Sequence, residues 1–305
     1  MNAGITAALA RASAGDLLAI AICTLCWGTT WFAITLQFGV VDPVVSVAYR
    51  FALAGALVFA WCMLRGQSMA LTRTQHFWAF LVGLVTFGVN YPFVYLAEQW
   101  VISAVVAVVF ASMSFINLIA FRIAFGHRAS LLAWGAAGLG IIGVGVLSWG
   151  ELMEAQLDAR ALFGLALTFA GVLASVIGNL FARKNEQAHA PLIASTGWAM
   201  IYGALVLALF CLATGRAFAF DTSARYVVSL LYLAIFGSVI AFLVYYALAR
   251  RRGYAMASYV SALVPLVAML VSSAFEAKTW GPLALAGVAL VLAGQWLLLR
   301  TRRTP

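Results

Sequence analysis

The sequence predicts an all-α polytopic membrane protein, with ten transmembrane helices arranged as two inverted five-helix repeats. Three observations carry this prediction. Of 305 residues, 65% are hydrophobic and 9% charged, and the mean hydropathy is +1.04, outside the range of soluble domains. The charges fall in clusters that cut the chain into apolar pieces, each near the roughly 20 residues a helix needs to cross a bilayer. Residues 87–126 also have an echo at 236–276: Phe87-Gly88 matches Phe236-Gly237, Phe93 matches Phe242, Val94-Tyr95-x-Ala97 matches Val244-Tyr245-x-Ala247, and Ala124-Phe125 matches Ala274-Phe275. The two copies occupy equivalent places in halves of almost equal length, 1–155 and 156–305, the signature of internal duplication.

The spans are expected near 15–36, 43–64, 77–97, 101–121, 131–149, 161–182, 192–213, 226–248, 255–274 and 281–299. The apolar runs are continuous and do not alternate, so helices are favoured over a barrel, the other structure that satisfies its backbone in lipid. The first piece is as long as a full span and no small-residue cleavage site follows it, so it is expected to stay as a span. It carries Cys23, Trp27, Thr30, Ile34 and Gln37 on one stripe, and the second contains Arg50. In the third, Tyr91, Tyr95 and Glu98 share a face beside Asn90. The fifth is crowded with glycine and the tenth carries Gly287 and Gly294, which lets helices approach closely in lipid, so both are read as structural braces. The sixth presents Thr168, Ser175 and Asn179, the seventh Ser195, Trp198 and Tyr202, and the ninth Ser258, Ser261 and Pro265.

Polar residues in a span are costly in lipid and face the bundle interior or a watery cavity. Trp27, Thr30, Asn90, Tyr91, Tyr95, Ser175, Asn179, Trp198, Tyr202, Ser258, Tyr259 and Ser261 are therefore the candidate cavity residues. Each has a plainer alternative, since Ser and Thr bond their own helix backbone and interfacial Tyr and Trp belong to the aromatic belt. Arg50 either attracts a carboxylate in the pathway or pairs structurally with Asp42 or backbone carbonyls. Glu98 is either a gate and proton site or a solvated helix end, and Pro265 is a candidate bend.

The formal charge of +9 does not call for a nucleic-acid partner, because of how it is distributed. Threading ten spans with the N-terminus inside puts thirteen basic residues on one side and four on the other, which predicts cytoplasmic termini. With five spans per half, the second half enters from the opposite side. The loop at Glu98-Gln99-Trp100 has no basic residue, whereas its counterpart has Arg250, Arg251 and Arg252.

Short connections leave no room for a soluble catalytic module. The chain lacks G-x-x-x-x-G-K-[ST], so it is not expected to hydrolyse ATP or to require an ATPase partner. His76, His127 and His189 fall in expected cytoplasmic loops, which argues against a membrane metalloprotease or a Ser-His hydrolase. The Cys23-x-x-Cys26 pair is read as apolar packing, and no metal or cofactor is expected.

The run Ala257-Ser258-Tyr259-Val260-Ser261-Ala262-Leu263-Val264-Pro265, with Phe275-Glu276, Gly287 and Gly294, resembles the EamA branch of the drug/metabolite transporter superfamily. The first half departs from that pattern, with Phe115 where the family's proline would stand and Gly126 in place of its glutamate. Within the family the chain is similar to YddG-type amino-acid exporters. The resemblance implies an inner-membrane carrier of neutral and aromatic amino acids, with a central cavity between the halves and alternating access. A multidrug or nucleotide-sugar carrier is the alternative, and a membrane-embedded enzyme or structural subunit a remote one. The expected partners are a small-molecule substrate and the lipid bilayer, and the carrier is expected to work as a monomer, either as a facilitator or coupled to protons.

Overall fold

The computed structural model describes residues 13–126, 130–154, 158–252 and 254–301, with the side chains at 151, 254–256, 258, 259, 261, 262 and 298–301 outside that description. Among the described residues every element is helical. Helices α1 (Ala14–Thr35), α2 (Pro43–Leu64), α3 (Arg73–Ala97), α4 (Ser103–Phe125), α5 (Leu131–Glu154), α6 (Ala159–Gln187), α7 (Leu192–Ala213) and α8 (Ala224–Arg252) are 8 helices long and apolar enough to cross a membrane. Two further helices follow, α9 (Tyr254–Phe275) and α10 (Pro282–Thr301), which contribute the shorter apolar runs Leu263–Phe275 and Pro282–Leu297. Large apolar side chains such as Leu64 and Leu131 are 85% and 89% exposed, an arrangement suited to lipid and costly in water.

Local sequence sets the helix starts. Ser13 Oγ accepts from the Asp16 amide and Asp16 Oδ2 accepts from the Ser13 amide, a reciprocal cap, and Thr72 with Gln75 repeats it at α3. At α2, Asp42 accepts from the Val44 amide at 2.8 Å with Pro43 in the first turn. Several ends lie beyond the apolar runs. Helix α3 starts at Arg73 and so takes in His76, while α6 and α8 continue through Lys184 and Arg252. Charge ends an apolar run without ending a helix, because basic residues suit a helix C-terminus and their stems reach toward water.

The core helices pack in matched fashion: α1 lies against α8 and α9 as α6 lies against α3 and α4, and α2 lies against α7. Helices α5 and α10 pack chiefly on each other. Their glycines make the close approach possible, for a Cβ on Gly143 would stand 2.7 Å from Gly287 O and one on Gly287 2.6 Å from Leu147 N.

Two departures from regular helix bear on the site. Both α3 and α8 relax into π-helix, over Gly83–Asn90 and Ile235–Ile240, and these segments contain the matched Phe87-Gly88 and Phe236-Gly237. Helix α4 breaks at Ser112 between Ser103–Ala111 and Met113–Phe125, and Gln295 Nε2 from α10 donates to the Ala111 carbonyl at 2.9 Å. In α9 the irregular residue is Pro265, inside an otherwise continuous helix. The half without the proline thus interrupts its helix by another route, and a buried amide compensates the backbone.

Candidate functional site

A cavity of about 120 Å³ lies among the core helices. One water needs roughly 10–15 Å³, so the space admits a small organic molecule. From α1 come Trp27, Thr30, Trp31 and Ile34, and from α2 Arg50. The π segment of α3 and the turn after it add Thr86, Asn90, Tyr91 and Val94, while the residues flanking the α4 break add Ala107, Phe110, Ala111 and Met113. The opposite wall is Ser175 and Asn179 of α6, Phe242, Tyr245 and Tyr246 of α8, and Val264 of α9.

Aromatic rings dominate the wall. Trp27 meets Phe242 edge-on at 5.3 Å and Tyr245 at 5.1 Å, and its Nε1 donates to Gly237 O at 3.3 Å, fixing the indole against the π turn of α8. Trp31 packs on Phe110 at 5.1 Å. The Arg50 guanidinium lies 4.6 Å from the Tyr91 ring centre, within cation–π range. Its Nε donates to Ser238 Oγ at 2.9 Å and its Nη1 to Tyr95 Oη at 3.4 Å, and Tyr95 in turn donates to Gln37 Oε1 at 2.9 Å. Polar atoms of Thr86 (Oγ1), Asn90 (Oδ1) and Trp31 (Nε1) are buried without a hydrogen-bond partner among the described residues. Groups of this kind are costly unless something pairs with them.

A smaller cavity toward Arg250 is lined by Phe87, Asn185, Ser195, Thr196 and Tyr246, among others. Tyr246 belongs to the wall of both cavities.

The pattern characteristic of the EamA-like transporter family matches residues 13–149 and again residues 162–300. The chain belongs to the EamA-like transporter family. Among relatives of this EamA-family chain, an inner membrane transporter from Escherichia coli, YedA, is 27% identical over 254 residues, 83% of this chain and 80% of that one. A probable amino-acid metabolite efflux pump from Salmonella typhimurium is 25% identical over 301 residues, 91% of this chain and 93% of that one. A crystal structure of another protein superposes with a TM-score of 0.70 at 17% identity, covering 94% of this chain and 99% of the other, and so shares its fold. The EamA-family chain is thus a membrane transporter of the drug/metabolite transporter superfamily.

Of the candidates named from sequence, Trp27, Thr30, Asn90, Tyr91, Ser175, Asn179 and Arg50 meet at the central cavity. Others do not. Tyr95 is fully buried off the wall, holding Arg50. Trp198 and Tyr202 stand elsewhere: Trp198 Nε1 donates to Met69 O at 2.8 Å, its ring stacks on Tyr202 at 5.5 Å, and Tyr202 Oη bonds His76 Nδ1 at 2.9 Å. The side of α7 that carries them packs against the start of α3 and the preceding loop. The side chains of Ser258, Tyr259 and Ser261 lie outside the described residues. Pro265 is buried beside the cavity residue Val264.

Two readings of charged residues need correction. Arg50 does not pair with Asp42, which instead caps α2 and pairs with Arg216 at 2.5 Å. Glu98 is not a solvated end: it is 7% exposed, and neither carboxyl oxygen has a hydrogen-bond partner among the described residues. On a neighbouring helix end, Glu276 Oε2 accepts from Ser103 Oγ at 2.6 Å. Ile34 lines the wall with Trp27 and Thr30, whose stripe it shares, whereas the sequence reading missed Val94, Phe110, Met113 and Val264, which are apolar and indistinguishable by type from core residues. Thr86, Tyr245 and Tyr246 carried a usable signal, since each is polar or amphipathic in an apolar run.

Proposed function

We propose that this EamA-family transporter exports neutral and aromatic amino acids and related small metabolites across a bacterial-type inner membrane. Residues 1–155 and 156–305 act as two inverted five-helix repeats that exchange access to the central cavity, both termini are cytoplasmic, and the functional unit is the monomer. The observation that carries this reading is the cavity wall itself. Trp27, Tyr91, Phe242 and Tyr245 can stack a flat side chain, Asn90 and Thr86 offer unspent polar groups, Arg50 offers a charge, and the wall draws on helices of both halves. The matched packing of α1 and α6 and the paired π segments support a two-fold scaffold with its site where the repeats meet. The names of the Escherichia coli and Salmonella relatives support the membrane and the substrate class.

The test is uptake of labelled tryptophan or threonine into liposomes carrying only the purified protein. Uptake should saturate, and Trp27→Ala should lower the aromatic rate by about tenfold or more. No uptake across a panel of amino acids would sink the reading. The carrier runs either as a facilitator or with a proton on the buried Glu98. Under the proton alternative, Glu98→Gln transports at the same rate with and without a proton gradient, and a gradient dependence equal to that of the native protein removes Glu98 from the coupling.

A further inference from the structure

Among the described residues lining the cavity, Arg50 carries the one formal charge, and the wall holds no carboxylate to answer it. The side chain is 1% exposed, and a guanidinium taken out of water without a counter-ion is costly. Hydroxyls hold two of its nitrogens, Ser238 Oγ at Nε and Tyr95 Oη at Nη1, and these orient the fork without neutralising it. The guanidinium also meets the Tyr91 side chain, and all of these partners are uncharged. A Cβ on Gly237 would come within 3.0 Å of Arg50 Nη2 and 2.5 Å of Thr30 Cγ2, so a side chain at 237 would crowd the guanidinium. The carboxylates elsewhere do not serve. Asp42 is taken by Arg216, and Glu98 is off the wall with both oxygens buried and without a donor; its burial and the nearby Glu276 disfavour the anion against the attraction of Arg50.

We propose that the cavity selects monocarboxylates with an aromatic or apolar body, that Arg50 anchors the carboxylate, and that the α-ammonium of an amino acid is dispensable. N-acylated and deaminated relatives of the aromatic amino acids are then carried at least as well as the amino acids themselves. This rests on the carrier reading above and names the chemistry its site reads. A monocarboxylate opposite Arg50 leaves the site neutral, whereas a zwitterion leaves one cation uncompensated, because its ammonium finds uncharged acceptors, Asn90 Oδ1 and Thr86 Oγ1. A neutral amide N–H can donate to the same two atoms without bringing a charge. An amine lacking a carboxylate adds a second buried cation beside the first.

An indole series tests this with the full-length protein in liposomes, read by competition against labelled tryptophan uptake and by thermal stabilisation in detergent. The compounds are tryptophan, N-acetyltryptophan, indole-3-propionate, neutral tryptophol and cationic tryptamine. N-acetyltryptophan and indole-3-propionate should bind at least as tightly as tryptophan, and tryptamine weaker by about tenfold or more. Arg50→Gln should erase the advantage of indole-3-propionate over tryptophol, and Arg50→Lys should keep part of it. If tryptamine competes as well as indole-3-propionate, or if tryptophan far outbinds N-acetyltryptophan, the proposal falls while the carrier reading stands. If no compound of the series binds or enters, both fall. Should Arg50→Gln not fold, the ranking on the native protein decides alone.

Discussion

At the residue scale the site is built from contacts that leave little slack. Gly237 illustrates this: a methyl there would stand 2.5 Å from Thr30 Cγ2 and 3.0 Å from Arg50 Nη2. Gly237→Ala should therefore lower stability by about 1–3 kcal/mol through overpacking and cut uptake together with it. Thermal unfolding in detergent and liposome uptake check both, and an unchanged pair of values would mean the crowding relaxes freely. The same scale shows which side chains sequence could name. Trp27, Thr30, Asn90, Tyr91, Ser175 and Asn179 were legible because each is polar or amphipathic in an apolar run, and lipid penalises them anywhere but the interior. Trp198 and Tyr202 obey the same logic and still lie elsewhere, because the interior they face is the contact with Met69 and His76.

At the element scale, interruptions of regular helix surround the cavity. The π segments of α3 and α8 and the break of α4 at Ser112 each contribute or adjoin lining residues, consistent with π turns marking functional positions. The α4 break depends on a distant partner, Gln295, whose Nε2 reaches the Ala111 carbonyl. Gln295→Leu keeps the approximate volume and orphans that carbonyl, so it should cost about 1–3 kcal/mol. A drop in melting temperature measures it, and an unaltered melting temperature would show that the carbonyl finds another donor. Sequence indicated that α4 lacks the proline of α9, but the mode of interruption was hidden because Ser112 is an ordinary residue in an ordinary run.

At the scale of the whole molecule, the proposed inverted arrangement sets which ends face which side. Cysteines introduced singly at Gln67 and Gln99, in a background with the four native cysteines replaced, should respond oppositely to an impermeant thiol reagent in right-side-out vesicles. Gln99→Cys should label and Gln67→Cys should not. Labelling of both, or the reverse pattern, would overturn the orientation derived from the basic residues. The matched packing of α1 on α8 and α9 with that of α6 on α3 and α4 means neither half encloses the cavity without the other.

The membrane setting, the helical class and the duplicated plan were written in composition and pattern, because a bilayer fixes span length and forbids unpaired backbone whatever the side chains do. Helix ends were blurred where basic residues continue a helix past its apolar run, as at Lys184 and Arg252. Tertiary structure alone decided who faces whom: that Arg50 turns from Asp42 toward Ser238 and Tyr95, that Glu98 is buried, and that apolar Phe110 and Met113 line a cavity while Trp198 does not. Sequence periodicity tells which residues share a face of one helix. Only packing tells whether that face meets a cavity, a neighbour or lipid.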